Sequence, residues 1–152
     1  MKLRVLWIGK TRDARLSALI NDYIARIQRF LPLEVVETKE VRVDDSKRLR
    51  AEGERLLSSI DSSDRVVLLD PAGKTWTSPQ FAQFVGKHMR EDARRLTFVI
   101  GGFSGVSEDV TRRADARWSL TPLTFTHDLC RVLVLEQLYR ALTIVHGHPY
   151  SK

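Results

Sequence analysis

The run LTFVIGGFSG, residues 96–105, decides the fold. Its first five residues carry no charge and are mostly branched or aromatic, which suits a short strand buried on both faces of a parallel sheet. The chain then breaks at once into glycine: Gly101, Gly102 and, after Phe103 and Ser104, Gly105. Glycines directly after a buried strand admit positive φ and let a ligand approach the backbone, whose amides can then grip a carboxylate, phosphate or ribose. Any tight strand-to-helix turn also uses glycine, so this run marks a place and not yet an activity.

Working outward, RVVLL (65–69) is a second buried run and ends in the turn sequence Asp70-Pro71-Ala72-Gly73. KLRVLWI (2–8) reads as a first strand closed by Gly9, LEVVETKEVRV (33–43) as another, and Trp118-Ser119-Leu120 as a short last one. Between them lie helical patterns. Leu16, Leu19, Ile20, Tyr23, Ile24, Ile27 and Phe30 form one apolar stripe, with Asp13 placed to cap it. Asp44 and Asp45 open a second helix bearing Leu49, Leu56, Leu57 and Ile60. Ser78-Pro79 reads as the cap and first turn of a third, and Ser107 as the cap of a fourth reaching about Ala114. The fifth runs from His127 to about His146. This strict β-α alternation predicts an α/β fold: a mostly parallel sheet with helices on both faces, one domain over residues 1–152. Ligands of such sheets sit beyond the carboxyl ends of the strands, so loops 70–75, 101–105 and 121–126 are the candidate site.

The last helix has little polar face: Leu129, Val132, Leu133, Val134, Leu135, Leu138, Tyr139, Leu142, Ile144 and Val145 surround it. A helix apolar nearly all round is buried on more than one side, either against a second subunit or as a central core helix of one subunit. Glu136 and Arg140, four apart, can pair along its surface.

Composition narrows the function. The chain of 152 residues is 43% hydrophobic and 29% charged, enough apolar content for a true core. Its net charge of +6 points to a polyanionic partner, nucleic acid being the commonest, although solubility alone can also select for charge. The N-terminus is too short and too charged for a signal peptide or membrane span. A lone Cys130 allows no intrachain disulfide, which predicts a cytoplasmic setting. Four histidines and one cysteine without close spacing give no zinc pattern, and no metal is expected.

Three common motifs fail on spacing. Gly101-Gly102-x-x-Gly105 is not the G-x-G-x-x-G dinucleotide fingerprint. Gly102-Phe103-Ser104-Gly105 puts its last glycine one place early for a nucleophile elbow, which weakens a hydrolase built on Ser104. Gly73-Lys74-Thr75 ends like a P-loop, but Leu68 stands where the first glycine is required. His127, His146, His148 and Tyr150 frame the last helix, and Gly147 releases His148-Pro149-Tyr150 to fold back over a cleft, unless the terminus merely frays.

Five stretches together carry a resemblance: MKLRVLWIGK (1–10), LLDPAGKTWTSPQFA (68–82), FVIGGFSGVS (98–107), WSLTPLTFTHDLCRVLVLEQLYRA (118–141) and HPY (148–150). Over essentially its whole length the chain resembles the RlmH, or YbeA-like, family of SPOUT methyltransferases. That resemblance implies S-adenosylmethionine as cofactor and N3 of a pseudouridine in large-subunit ribosomal RNA, on the assembled ribosome, as target. It implies a deep C-terminal trefoil knot, a rare exception to ordinary chain topology that periodicity could not reveal. It also implies a homodimer packed through the last helix. The family's cofactor contacts map onto Leu69, Gly101, Leu120, Thr121, Pro122, Leu123, Thr124 and Phe125. The family often has a second histidine after H-P-Y; Ser151 stands there in this chain.

For the chemistry, the imide nitrogen of the target must lose a proton as it is methylated. Arg131 is the candidate to favour the anion, with phosphate contact or an ion pair as its plainer role. His127 or His148 is the candidate general base, and Tyr150 completes the tail candidates. A SPOUT enzyme of transfer RNA and a non-catalytic ribosome-bound factor are the competing readings.

Overall fold

A computed structural model describes residues 2–92, 94–102 and 105–151. Five strands form one sheet in the order β2-β1-β4-β3-β5, and every pairing is parallel. They are β1 (Leu3–Ile8), β2 (Leu33–Thr38), β3 (Arg65–Thr75), β4 (Leu96–Ile100) and β5 (Ala116–Ser119). The helices are α1 (Ala14–Gln28), α2 (Asp45–Ser58), α3 (Ser78–Glu91), α4 (Glu108–Arg113) and α5 (His127–Val145), followed by one 3₁₀ turn at Pro149–Ser151.

Two apolar layers follow from strand alternation. Leu3, Val5 and Trp7 of β1, with Val67, Leu96, Phe98 and Ile100, face Ile20 and Ile27 of α1, Phe81 and Val85 of α3 and the buried side of α5. Leu6, Ile8, Val66, Leu68 and Val99 face the other way, onto Leu56 of α2 and Val110 of α4. Odd-numbered helices therefore cover one face and even-numbered helices the other. The order requires it: the chain moves one way along the sheet in β1→β2 and β3→β4 and the opposite way in β2→β3 and β4→β5, so right-handed crossovers must alternate faces.

Asp13 caps α1 as expected, its carboxylate accepting from the amides of Arg15 and Leu16. Four boundaries differ from the sequence expectation. β2 stops at Thr38, not 43, because its partner β1 ends at Ile8 and the charged residues beyond have no ladder to join. α3 is capped by Thr77, not Ser78: Thr77 Oγ1 accepts from Gln80 N while the Gln80 side chain accepts from Thr77 N. β5 covers Ala116–Ser119 and leaves Leu120 to the loop. β3 does not end at Leu69. Residues 70–73 bulge out of register, and Leu69 and Lys74 both align with Trp118 before pairing resumes at Thr75↔Ser119.

α5 finds its apolar partners inside one subunit. It lies on the sheet between α1 and α3, with Val134, Leu135, Leu138, Ala141 and Leu142 fully buried. Its apolar girth alone therefore calls for no second subunit. No helix among the described residues is long and apolar enough to cross a membrane.

Candidate active site

Because all strands are parallel, the carboxyl ends of β4, β3 and β5 are neighbours on one edge of the sheet. The three loops leaving them enclose a cleft of about 800 Å³. Leu69, Gly101, Leu120, Thr121, Leu123, Thr124 and Phe125 all line it. Pro122 is exposed and is not among the lining residues. Asp70 and Pro71 of the expected loop 70–75 also line the cleft, as do Val106, Thr111, Trp118 and Cys130, which the sequence did not single out. The bulge in β3 brings Asp70 and Pro71 there, and the helical period of α5 brings Cys130 there three residues after His127. Ser104 lies outside the described residues, as does Phe103.

The glycine turn is pinned from both sides. Gly105 N donates to Gly102 O at 3.0 Å, and Gly105 sits at φ +85°. Asp70 accepts from Ala72 N and pairs with Arg117 at 2.7 Å, which fixes the bulge. Thr126 caps α5 by accepting from Leu129 N, so His127 opens the helix at the cleft's edge.

The lining suits S-adenosylmethionine. Leu69, Ile100, Val106, Leu120 and Phe125 supply apolar walls for a purine, while the Gly101–Gly102 backbone and the hydroxyls of Thr121 and Thr124 supply polar groups. The chain has 25 lysines and arginines, yet among the described residues none lines this cleft, and the one carboxylate that does is Asp70. A sulfonium cation therefore meets no like charge at the walls. Burial pushes the Cys130 thiol up to about 11, against the opposing pull of Arg131, so beside an electrophile it stays a poorly nucleophilic thiol.

The other catalytic candidates are dispersed. Arg131, 1% exposed, lines a second hollow of about 510 Å³ that shares Gly102, Thr126 and His127 with the cleft. Its guanidinium donates to Ile8 O at 2.6 Å and Thr11 Oγ1 at 3.0 Å, lies 3.5 Å from Asp128, and stacks over Trp7. Burial lowers its pKa, with Asp128 opposing. It thus ties α5 to the end of β1.

Tyr150 donates to Glu136 Oε1 at 3.1 Å, packs edge-on against Tyr139, and lies under Arg140, which pairs with Glu136 at 2.5 Å. Burial, then the contact with Tyr23, raises its phenol above the usual range. His148 is anchored by its amide to Thr143 O, with its ring near Phe30. Neither lines the cleft of its own chain. The Glu136 contact lies about 13 Å along α5 from His127, at a rise of about 1.5 Å per residue.

Among the described residues, no group of three or more His, Cys, Asp or Glu is arranged to hold a metal. The family model "Predicted SPOUT methyltransferase" matches residues 1–151. The chain is 41% identical to a ribosomal RNA large subunit methyltransferase H of Trichlorobacter lovleyi, over 99% of each chain. It is 42% identical to the protein of the same name from Geobacter metallireducens, over 99% of this chain and 98% of that one. A probable methyltransferase from Bordetella pertussis shares the fold, with a TM-score of 0.58 over 92% of this chain and 93% of that one at 13% identity. The chain belongs to the SPOUT methyltransferase family.

Proposed function

We propose that this chain is an S-adenosylmethionine-dependent methyltransferase of large-subunit ribosomal RNA, acting on N3 of a pseudouridine in the assembled ribosome. The observation that carries this reading is the cleft: three loops from adjacent parallel strands close into one cation-compatible pocket, lined by seven of the eight residues expected to hold the cofactor. The names of the relatives supply the RNA class. The same family reading carries the trefoil knot, a single domain over 1–152, and a cytoplasmic enzyme.

S-adenosylmethionine, when bound, supplies an electrophilic methyl group on a sulfonium. The chain's own residues then place the nucleophile and take its proton. His127 borders both the cleft and the second hollow, where a base entering from the hollow meets it; we assign it the N3 proton. Arg131 holds a buried positive charge behind that point and favours the imide anion. His148 and Tyr150 can reach a methyl-transfer site only from a partner subunit, so their roles go with a homodimer. Leu123, 70% exposed, and Leu129, 37% exposed at the start of α5, give such a dimer an apolar seam beside the cleft.

The test is transfer of tritiated methyl from labelled cofactor to purified assembled ribosomes and to transfer RNA, with mass spectrometry of the product nucleoside. One methylated pseudouridine in large-subunit RNA is expected. Methylation of transfer RNA alone, or no cofactor binding by calorimetry, overturns the proposal.

A further inference from the structure

The second hollow is built from the ends of β1 and β2, the start of α1, α2 and the first turn of α5. Its charges do not cancel locally. Arg12 is held by Glu40 at 3.1 Å. Asp13 is engaged in capping α1 and in pairing with Arg15 at 3.0 Å. Asp128 accepts from the amides of Arg12 and Asp13 and pairs with Arg131. The side chains of Lys10 and Arg42 are exposed at the rim and make no ion pair or hydrogen bond with the described residues.

The floor carries one carboxylate taken largely out of water. Glu52 is 8% exposed, and burial raises its carboxyl pKa, Glu40 adding to the effect and Arg48 and Arg55 opposing it. The rim thus presents two uncommitted cations around a concavity about the size of a nucleotide site. The contrast with the cofactor cleft is sharp. Among the described residues that cleft has no Lys or Arg in its lining, while this hollow, across Gly102 and His127, gathers five of them beside four Asp and Glu. The positive excess of the hollow thus lies at its rim, with Lys10 and Arg42.

We infer that this hollow binds the phosphodiester backbone of the RNA strand being methylated, Lys10 and Arg42 gripping phosphates next to the target nucleotide. The inference rests on the RNA-methylating reading above and adds to it where the strand lies. A strand held there presents its base over the shared residues Gly102 and His127, toward the cleft. Lys10 and Arg42 are binding residues: they act through position and touch no reacting atom.

The experiment compares the full-length protein with K10Q/R42Q and with the charge-preserving K10R/R42K. Binding of a fluorescein-labelled 12-nucleotide single-stranded RNA is followed by anisotropy from about 50 to 200 mM salt, and cofactor affinity by calorimetry. Losing two phosphate contacts from a single strand lowers the log–log salt slope by about 1.4. K10Q/R42Q is expected to show that drop, with weaker RNA binding and a higher KM for assembled ribosomes. Cofactor Kd stays unchanged, and K10R/R42K behaves like the parent. An unchanged slope overturns the inference. A KM for ribosomes that rises while oligonucleotide binding stays constant also overturns it, assigning the rim to an acidic protein surface of the ribosome. Oligonucleotide binding is read whether or not methyl is transferred, so failure of the enzymatic reading is seen separately.

Discussion

At the scale of the residue, two glycines hold the edge of the cleft together for different reasons. A methyl group added at Gly105 meets none of the described residues within 4 Å; the demand is its φ of +85°. Gly73 lies within the β3 bulge, where an added Cβ would stand 2.7 Å from the Arg117 carbonyl carbon, a backbone atom that cannot swing aside. Gly105→Ala is expected to cost about 1 kcal/mol, from the left-handed conformation alone. Gly73→Ala should cost about 2–3 kcal/mol, because β5 must move off β3. Urea denaturation measures both. Equal costs would show that the bulge yields more easily than its packing implies. The 101–105 glycines were legible from sequence because they abut a buried strand. The part Gly73 plays was not, since its neighbour Arg117 lies far along the chain and only the sheet brings them together.

At the scale of the element, one buried ion pair joins the amino-terminal ends of two central strands. Asp64, 3% exposed just before β3, accepts from Arg95 through both carboxylate oxygens at 2.9 Å, and Arg95 immediately precedes β4. Burial raises the Asp64 pKa, but hydrogen bonds from Arg95 and from the Asp61 amide, with the charge of Arg95, outweigh it, and the net shift is downward. A folded-state value below the unfolded one means the pair contributes stability above the ordinary carboxylate range. That contribution is lost as pH falls through the lowered value. Asp64→Asn should therefore cost about 3 kcal/mol at neutral pH, leaving Arg95 with the exposed Asp61 as its main partner, and should flatten the acid limb of stability against pH. Thermal unfolding of both proteins between about pH 7 and pH 3 tests the sign. An unchanged acid limb removes Asp64 from the account. Element order, type and layering were readable from periodicity alone, because a β-α alternation admits few parallel arrangements. The end of β2 and the length of β3 were not, since strand ends are set by the partner strand.

At the scale of the whole molecule, the expected catalytic groups do not converge in one chain. His127 edges the cleft, while Tyr150 is fastened to Glu136 partway along α5. Sequence spacing put both near ends of one helix and expected the tail to fold back over a cleft; it folds back onto α5 instead. If the site is completed by a second copy, the seam is the apolar surface beside the cleft, since α5 is otherwise covered by its own subunit. Leu123 and Leu129 are the large side chains most exposed there. Leu123→Asp combined with Leu129→Glu should then convert a species of twice the chain mass into one of the chain mass, read by light scattering behind gel filtration. Both positions are solvent-facing in the single chain, so the far-UV spectrum and Tm should change little. Methyl transfer to assembled ribosomes should fall by about a hundredfold or more, beyond any loss in cofactor affinity, because Leu123 touches the cleft while the missing tail belongs to the partner. Full activity in a monomer would place His148 and Tyr150 outside the chemistry and leave His127 as its sole proton acceptor.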